Sequence, residues 1–325
     1  MAIGSVAAVI VTYNRKALLS QCLDAVLGQT ARPDVIYVID NASSDGTDRL
    51  IEANYSGRVV SIRLPKNSGG AGGFYHGMKR AFDDGHAWIW VMDDDVEADA
   101  HALEELLAAS REAPGAILAP ARVDCGGALA EASCVEYDLS HALRLPTAYE
   151  RSVTATFGTL NALPEVVELE NITFEGPLIP RCAIDAAGLP RPEFFIYGDD
   201  TEYGVRLREH GFRLLLIGRS RLRRLLVDGR LPPQPSTAWR VRYMVRNPLW
   251  IGRVHGTTWG VRNLRGIYWA LCIFGYSVAR LSWLRRPRHF FSVCRGLWEG
   301  LFLPPPSAQT RPAPSCAGRC RTTPA

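Results

Sequence analysis

Three consecutive carboxylates, Asp93, Asp94 and Asp95, follow an apolar run at residues 88–92. Adjacent negative charges repel one another, so a purely structural reason for the triplet is hard to find. In an extended chain Asp93 and Asp95 share one face, and carboxylate oxygens suit a hard cation such as Mg²⁺ or Mn²⁺. Such a cation can neutralise a diphosphate and stabilise it as a leaving group. We therefore predict a divalent metal site at Asp93 and Asp95; the alternative is a solvated acidic turn.

A second acidic cluster, Asp199, Asp200 and Glu202, stands at the start of a predicted helix that ends near Gly211. One acid there would be explained by capping or by the helix dipole. Three acids within four residues, after the apolar, aromatic residues 194–197, indicate instead the wall of a site. One of these carboxylates can accept the proton of an attacking hydroxyl. The helix start is expected to keep that carboxylate ionised at neutral pH.

A glycine-rich segment, KNSGGAGG at residues 66–73, precedes a helix predicted over residues 73–84. Glycines let the backbone approach a ligand closely, and a helix N-terminus favours phosphate. No GK[ST] follows, so the segment is not a Walker A loop. It also lies outside the first strand–helix unit, where a dinucleotide fingerprint would stand. Taken alone, the segment is a weak indication of phosphate binding.

Polar residues also follow the first two predicted strands. Thr12, Asn14 and Arg15 come after the strand at residues 6–11, and Asp40 comes directly after the strand at residues 35–39. The Asp40 carboxylate can accept a hydrogen bond from a base or a ribose. For Asn14 a turn role is an alternative, and for Arg15 a surface charge.

These residues stand at the ends of elements that alternate between strand and helix. Four apolar runs predict strands, at residues 6–11, 35–39, 59–64 and 88–92. Helical periodicity lies between them, at residues 16–27, 44–53 and 73–84. The alternation predicts an α/β fold, a doubly wound, mostly parallel sheet with helices on both faces. Ligands bind beyond the carboxyl ends of the strands in such sheets, which is where the polar segments fall.

Composition sets the size of the fold and the kind of partner. The chain has 325 residues, 47% hydrophobic and 22% charged, which suits one large α/β domain with an appendage. Its net charge is +4, with arginine dominating from Arg206 onward. A basic C-terminal third predicts an anionic partner, either ligand phosphates or the lipids of an inner membrane leaflet. No reading helix or stacking motif accompanies the charge, so we expect no nucleic-acid partner.

The cellular setting is predicted to be cytoplasmic and reducing. Eight cysteines have no framework spacing, and the first ten residues lack the features of a signal peptide. Residues 266–284 are apolar apart from Arg280. We expect this stretch to lie on a membrane surface or to pack as a helix pair rather than to span. The predicted location is peripheral, on the inner face of the cytoplasmic membrane.

The ordered motifs resemble those of a known family. VIVTYNR, VIDNASSDGT, NSGGAGGF, VMDDD and FFIYGDDTEYGVRLREHG occur in the order seen in family-2 glycosyltransferases of the GT-A fold, over about residues 5–250. NSGGAGGF with the DD-x-E helix start looks most like the bacterial galactofuranosyltransferase and rhamnosyltransferase branch. The resemblance implies metal-dependent, inverting transfer of galactofuranose or rhamnose from a UDP- or dTDP-linked donor. The implied acceptor is a glycan or a polyprenyl-linked sugar, in cell-surface polysaccharide synthesis.

The resemblance also implies roles for single residues. It implies metal–diphosphate binding by Asp93 and Asp95 and a base at Asp200, within the cluster that includes Asp199 and Glu202. It implies donor contacts by Thr12, Asn14, Arg15, Asp40, Asn67, Gly69, Gly70 and Asp94. Relatives often place a metal-binding histidine after the last core strand, but residues 219–226 contain none. Either the ion has only carboxylate and diphosphate ligands, or His255 folds back to reach it, or the activity is impaired. Tyr243 and the pair Arg246-Asn247 also resemble an element that follows the catalytic domain.

Three regions are predicted: a GT-A domain at residues 1–225, a basic, aromatic, helical region at 226–303 and a disordered tail at 304–325. Two other functions remain open. A sugar nucleotidyltransferase shares a similar sheet and metal site, but it would need a basic, glycine-rich loop where TYNRKA follows the first strand. A decayed transferase acting as a membrane-associated binding protein would explain the missing histidine and the unusual tail. The intact DDD and DDTE motifs argue against it.

Overall fold

The computed structural model describes residues 4–144, 150–226, 238–279, 284 and 286–306. The first half of the chain contains β1 (Val6–Thr12), α1 (Lys16–Leu27), β2 (Val35–Asp40), α2 (Thr47–Tyr55), β3 (Val60–Arg63), α3 (Gly69–Asp83), β4 (Trp88–Asp93), β5 (Val96–Ala98), α4 (Ala102–Glu112) and β6 (Ile117–Val123). Next come β7 (Cys134–Tyr137), β8 (Glu150–Ser152), α5 (Val153–Phe157), β9 (Val166–Leu169), β10 (Leu178–Pro180), α6 (Arg181–Ala187), α7 (Asp199–Glu209) and β11 (Leu214–Arg224). Residues 307–325 of the tail predicted at 304–325, and residues 280–283 of the apolar stretch, lie outside the described residues.

One large sheet organises these elements. Its strand order is β3-β2-β1-β4-β10-β6-β11-β5, and β9 pairs with β11. Strands β3, β2, β1, β4, β6 and β11 run in one direction, whereas β10, β5 and β9 run against them. A separate antiparallel pair joins β7 and β8. The mixed α/β fold with a mostly parallel central sheet is therefore confirmed.

The side chains of β1 alternate between two apolar cores, because successive residues of a strand point to opposite faces. All seven β1 residues are buried, as the unbroken apolar run predicts. One core joins β1 to α3, through Val9, Val11, Phe74 and Met78. The other joins β1 to α1, through Ala8, Ile10, Leu19 and Leu23. Helices on both faces thus fix the strand whose carboxyl end carries Thr12 and Arg15.

The glycine-rich segment is itself helical, which corrects the predicted helix start at residue 73. Helix α3 begins at Gly69, so the glycines form its first turns. A Cβ atom on Gly73 would lie 2.4 Å from Val11 Cγ1, and one on Gly77 would lie 2.4 Å from Val9 Cγ1. Close packing of α3 on β1 therefore requires glycine at both positions. The low helix propensity of glycine is outweighed here by tertiary packing.

This packing gives a stability prediction. We expect Gly77→Ala to lower the free energy of unfolding by about 1–3 kcal/mol, because the added methyl overlaps Val9 in a closely packed core. Gly70→Ala is the matched control, since its Cβ would lie 4.0 Å from the nearest heavy atom, Phe74 Cε2. Urea unfolding followed by circular dichroism measures both. Equal stabilities of the two variants would contradict the proposed contact.

The C-terminal helices pack on the same molecule. They are α8 (Ala238–His255), a π-helical turn (Val261–Arg265), α9 (Gly266–Ala279) and α10 (Pro287–Phe302). A third apolar core connects α8 with α3, α7 and the segment before α7, through Ala71, Phe194, Val205, Leu249 and Trp250. Helix α8 therefore lies against the part of the fold that carries the second acidic cluster. Over the described ranges, every helix is too short or too polar to cross a membrane.

Candidate active site

The acidic triplet lies where β4 ends beside β1, with Asp93 opposite Val11 in the register. Asp94 is buried and accepts a hydrogen bond from Thr12 Oγ1 at 2.6 Å. Arg15 Nη1 lies 3.1 Å from Asp94 Oδ1 and 2.8 Å from Asp95 Oδ2. The parallel pairing of β1 and β4 thus brings together residues that are about 80 positions apart in the sequence.

The carboxyl group of Asp93 forms no ion pair with a described residue. Burial, followed by the charges of Asp95 and Glu175, raises the pKa of Asp93 well above its usual value. The side chain has no hydrogen-bond or ion-pair partner among the residues that the structure describes. Burial also raises the pKa of Asp95, although Arg15 opposes the shift. Carboxylates held together in this way are stabilised by a cation.

These residues fit a metal ion that shares its ligands with a substrate. Among the described residues, no group of three or more His, Cys, Asp and Glu side chains is arranged as a metal cage. Asp93 and Asp95 would supply two carboxylates. Mg²⁺ sites commonly take one or two carboxylates and complete their coordination with substrate phosphates and water. The donor set therefore suits a cation that binds together with a diphosphate.

Glu175 is a site residue that the sequence analysis missed. It lies just before β10, with Oε2 2.8 Å from Arg122 Nη1 and Oε1 2.7 Å from Arg224 Nη2. Burial opposes ionisation, but these two guanidinium groups lower the pKa of Glu175 to about 2. Arg122 is itself buried and forms a second ion pair with Glu131. Glu175 is thus a fixed negative charge beside the triplet.

The second acidic cluster faces the same region through Asp200, on which the charges of Arg122 and Glu175 act. Burial and the neighbouring Asp200 charge raise the pKa of Asp199 to about 8. Burial raises the pKa of Asp200 to about 6, Thr201 N–H and Arg122 oppose the shift, and Glu175 adds to it. Burial therefore outweighs the helix start at Asp199, whereas Asp200 remains mostly ionised at pH 7, as a base must be. The negative charge of Glu175 contributes to the raised pKa of Asp200 and to that of Asp93. Both acidic clusters therefore face the same carboxylate.

Glu202 and His255 are placed elsewhere, which corrects their predicted roles. Glu202 is fully buried, and its Oε1 lies 3.0 Å from Arg206 Nε and 3.2 Å from both Arg191 Nη1 and His255 Nε2. Burial opposes ionisation, but these partners lower the pKa of Glu202 to about 2. His255 Nδ1 lies 2.9 Å from Glu209 Oε2, so both ring nitrogens face carboxylates of α7. This ion network connects α7 to α8. Because Glu202 and His255 are paired within it, we do not assign catalysis to Glu202 or metal binding to His255.

The remaining donor candidates line two neighbouring loops. Asp40 is buried and accepts hydrogen bonds from Ser43 N–H at 2.8 Å and Arg63 Nη1 at 2.7 Å. Asn14 has a φ of 53°, and its Oδ1 accepts from Ser44 N–H at 2.7 Å. Asn14 is therefore a turn residue that connects the loops after β1 and β2, as its alternative interpretation predicted.

The start of α3 is held by Asn67 and Asn41. Asn67 Oδ1 accepts from Gly69 N–H at 2.8 Å. Asn41, which the sequence analysis gave no role in the site, donates to Gly69 O at 2.7 Å and accepts from Ser68 N–H at 3.0 Å. Gly69 has a φ of +76°, and a Cβ there would lie 2.0 Å from Phe195 O. A Cβ on Gly70 would meet only Phe74 Cε2, at 4.0 Å, and Gly70 is half-buried rather than buried.

The loop before Asp199 is held by α8. Asn247 Nδ2 lies 3.0, 2.9 and 2.6 Å from the carbonyl oxygens of Phe194, Ile196 and Tyr197. Arg246 Nη2 donates to Phe194 O at 3.0 Å. Phe195 and Tyr197 have φ angles of 64° and 66°, a conformation that L residues adopt at a cost of about 1–3 kcal/mol each. The Arg246-Asn247 pair, which resembles a family element, thus contacts the loop that leads into the second acidic cluster.

Solved structures place this architecture in the GT-A class. The crystal structure of GalNAc-T7 with UDP, GalNAc and Mn²⁺ matches with a TM-score of 0.55 and 16% identity, covering 86% of this chain and 58% of that chain. The mannosyltransferase PcManGT from Pyrobaculum calidifontis, in complex with GDP-Man and Mn²⁺, matches with a TM-score of 0.54 and 13% identity. That match covers 93% of this chain and 88% of the other. At these identities the likeness shows the fold.

Sequence comparison identifies the family. Residues 7–142 match the model of glycosyl transferase family 2. Galactofuranosyltransferase GlfT1 of Mycolicibacterium smegmatis is 34% identical over 212 residues, which are 63% of this chain and 66% of the relative. GlfT1 of Mycobacterium tuberculosis is 31% identical over 217 residues, again 66% of its length. The alignments thus span just under two thirds of these relatives. The chain carries a glycosyl transferase family 2 domain, as its ordered motifs predicted.

Proposed function

We propose that this protein is a metal-dependent, inverting glycosyltransferase that transfers galactofuranose from a nucleotide-linked donor to a hydroxyl group of a glycan. One observation supports this most strongly. The carboxylates of Asp93, Asp95 and Asp200 all interact electrostatically with Glu175 at the carboxyl end of the sheet. Displacement of a diphosphate by a hydroxyl group requires carboxylates that bind a metal ion and a base that accepts the hydroxyl proton. Asp93 and Asp95 can supply the first, and Asp200 the second.

The donor is proposed from the relatives and the neighbours. Relatives named galactofuranosyltransferases favour galactofuranose over rhamnose. Structural neighbours contain UDP or GDP-Man together with Mn²⁺, which supports a nucleotide-sugar donor and a divalent cation. UDP and dTDP are the two nucleotides to be compared. The half-buried backbone at Gly70 and the loops that carry Asn14 and Asp40 are the surfaces available to the donor.

The proposed reaction is a single in-line displacement. Asp200 accepts the proton of the acceptor hydroxyl as its oxygen bonds to the anomeric carbon of the donor. The bond from that carbon to the diphosphate oxygen breaks on the opposite side, so the anomeric configuration inverts. Asp93 and Asp95 would hold Mg²⁺ or Mn²⁺, which when bound supplies positive charge to the leaving diphosphate. Asp199, whose pKa is about 8, is mostly protonated at neutral pH and can donate a hydrogen bond beside the base.

Donor turnover tests the proposal. The purified protein is given Mn²⁺ and a panel of UDP- and dTDP-linked sugars, with and without galactofuranose-containing acceptors, and nucleoside diphosphate release is measured. We expect cation-dependent release from UDP- or dTDP-galactofuranose. Formation of a nucleotide sugar from a sugar 1-phosphate and a nucleoside triphosphate would favour the nucleotidyltransferase alternative. Donor binding without turnover, with lipid-linked acceptors present, would favour the binding-protein alternative.

We also propose that the protein attaches peripherally to the anionic inner leaflet of the cytoplasmic membrane. Residues 238–306 contain eleven arginines, no lysine and a single acid, Glu299. That acid is buried and paired with Arg242 and Arg295. Large apolar side chains on α9 and α10 are exposed, among them Leu271, Phe274, Phe291, Trp298 and Phe302. An exposed apolar face within a basic region suits an anionic lipid surface.

Vesicle sedimentation gives the corresponding prediction. We expect the protein to bind vesicles that contain phosphatidylglycerol and to be released by high salt, because arginine–lipid attraction is screened. The double variant Leu271→Glu, Phe274→Glu should lower the partition coefficient at least about tenfold. Val166→Glu, at an exposed position of β9, is the control and should bind as the unmodified chain does. Equal binding to zwitterionic vesicles would contradict the electrostatic part of the proposal.

A further inference from the structure

We propose that Trp239, together with Phe195, Tyr243 and Arg240, forms a subsite that binds a sugar ring of the acceptor glycan. The inference rests on the proposed function, since it assigns the acceptor side of the same site. The loop that carries Phe195 and the first turns of α8 build this aromatic subsite. None of these four side chains takes part in the metal or base chemistry described above.

The aromatic subsite has a defined geometry. The rings of Phe195 and Tyr243 are stacked, with centroids 5.1 Å apart and an interplanar angle of 21°. The Trp239 ring stands edge-on to both, at 5.9 Å from Phe195 and 6.0 Å from Tyr243. Trp239 is nevertheless 44% exposed. Two half-buried rings therefore hold a tryptophan in place while much of its surface stays open.

The subsite adjoins the start of α3 and the loop that leads to the proposed base. The carbonyl oxygen of Phe195 accepts a hydrogen bond from Ala71 N–H at 3.2 Å, at the start of α3. Phe195 precedes Asp199 by four residues, so their Cα atoms are at most about 14 Å apart. Asn247 fixes the intervening loop through the three carbonyl contacts described above. A ring bound at Trp239 is thus within a few sugar units of the attacking hydroxyl.

The chemistry of the subsite favours a sugar. The face of an indole carries negative charge density and attracts the weakly positive C–H groups of a sugar ring, while the hydroxyl groups stay in water. Arg240 lies beside the tryptophan, with its guanidinium carbon 5.5 Å from the Trp239 ring centroid. Its Nε is buried and has no hydrogen-bond partner within the part of the chain that the structure describes. Arg240 as a whole is half-buried, so the rest of its guanidinium group can donate a hydrogen bond to a sugar oxygen, which a hydrocarbon chain does not offer.

Acceptor kinetics test the subsite. The probes are methyl oligogalactofuranosides with one, two and three residues, used with a saturating donor. We expect Trp239→Ala to raise the KM for the two- and three-residue acceptors about tenfold, because an aromatic contact is lost. The KM for the donor and the slow hydrolysis of the donor without acceptor should stay unchanged. Trp239→Phe should restore part of the affinity, and Trp259→Ala, at an exposed tryptophan after α8, is the matched control.

Each other outcome overturns the inference in a recognisable way. An unchanged acceptor KM in Trp239→Ala removes the subsite, whereas a parallel rise in donor KM shows a general disturbance of the loop. Weaker vesicle binding with an unchanged acceptor KM assigns Trp239 to a membrane contact. If the unmodified chain turns over no donor, the proposed function fails. Saturation-transfer NMR with the trisaccharide then tests the subsite directly, and equal signals for Trp239→Ala and the unmodified chain overturn it.

Discussion

Asp200→Asn is expected to lower kcat by about 10²–10⁴-fold, the usual contribution of a positioned general base. The amide keeps the size of the side chain and its acceptance of the Thr201 N–H, but it cannot take a proton. Donor affinity should change little, because the base acts on the acceptor hydroxyl. Steady-state kinetics with donor and acceptor varied separately measures the effect. Asp185→Asn, at an exposed position of α6, is the control and should retain full activity.

The dependence of activity on pH is a second test of Asp200 as the base. Burial raises the pKa of Asp200 to about 6, and the residue must be deprotonated to act as a base. Activity should therefore fall as the pH drops through about 6. An aspartate with an ordinary pKa of about 3.9 would keep its activity to about pH 5. A flat profile between pH 5 and 7, or Asp200→Asn with normal kcat, would exclude Asp200 as the base.

Asp93→Asn is expected to abolish cation-dependent turnover and yet to stabilise the protein. Loss of one metal carboxylate should lower kcat/KM by about 100-fold or more, since the cation supplies several kcal/mol to the leaving group. Without cation, the substitution removes a carboxyl group whose ionisation is opposed by burial and by the charges of Asp95 and Glu175. The melting temperature should then rise by about 2–4 °C for each kcal/mol of this penalty that is removed.

Calorimetry and turnover assays on the same preparations test this pair of effects. Mn²⁺ with UDP should raise the melting temperature of the unmodified chain and leave that of Asp93→Asn unchanged, because a ligand stabilises the state it binds. Asp99→Asn, exposed after β5, is the matched control and should respond as the unmodified chain does. Normal activity of Asp93→Asn would remove the metal from the proposed site.

The sequence predicted the parts of the fold that depend on local pattern. The apolar run of β1 and the alternation with α1 place Thr12 and Arg15 at the end of a buried strand, and β4 places the acidic triplet beside it. These predictions succeeded because a parallel sheet brings the carboxyl ends of its strands to one edge. The start of α3 was misjudged, because the glycines indicate a loop until their packing against β1 is known.

Long-range pairing explains what the sequence analysis missed. Glu175 pairs with Arg122, which is 53 residues earlier in the sequence, and with Arg224, which is 49 residues later. None of the three residues belongs to a recognisable motif. Strand β10 is three residues long and runs antiparallel within the sheet, so it leaves no periodic signal. His255 was considered as a ligand because its partners in α7 could not be known from spacing. Buried charges are decided by tertiary neighbours, which local sequence does not record.

The configuration of the transfer product tests the central claim most directly. The unmodified chain is incubated with Mn²⁺, nucleotide-linked galactofuranose and a methyl galactofuranoside, and the anomeric signals are followed by ¹H NMR. Displacement by a hydroxyl that Asp200 deprotonates predicts a new glycosidic bond with the anomeric configuration opposite to that of the donor. A product with retained configuration, or no glycosidic product under conditions in which the donor binds, would contradict the account.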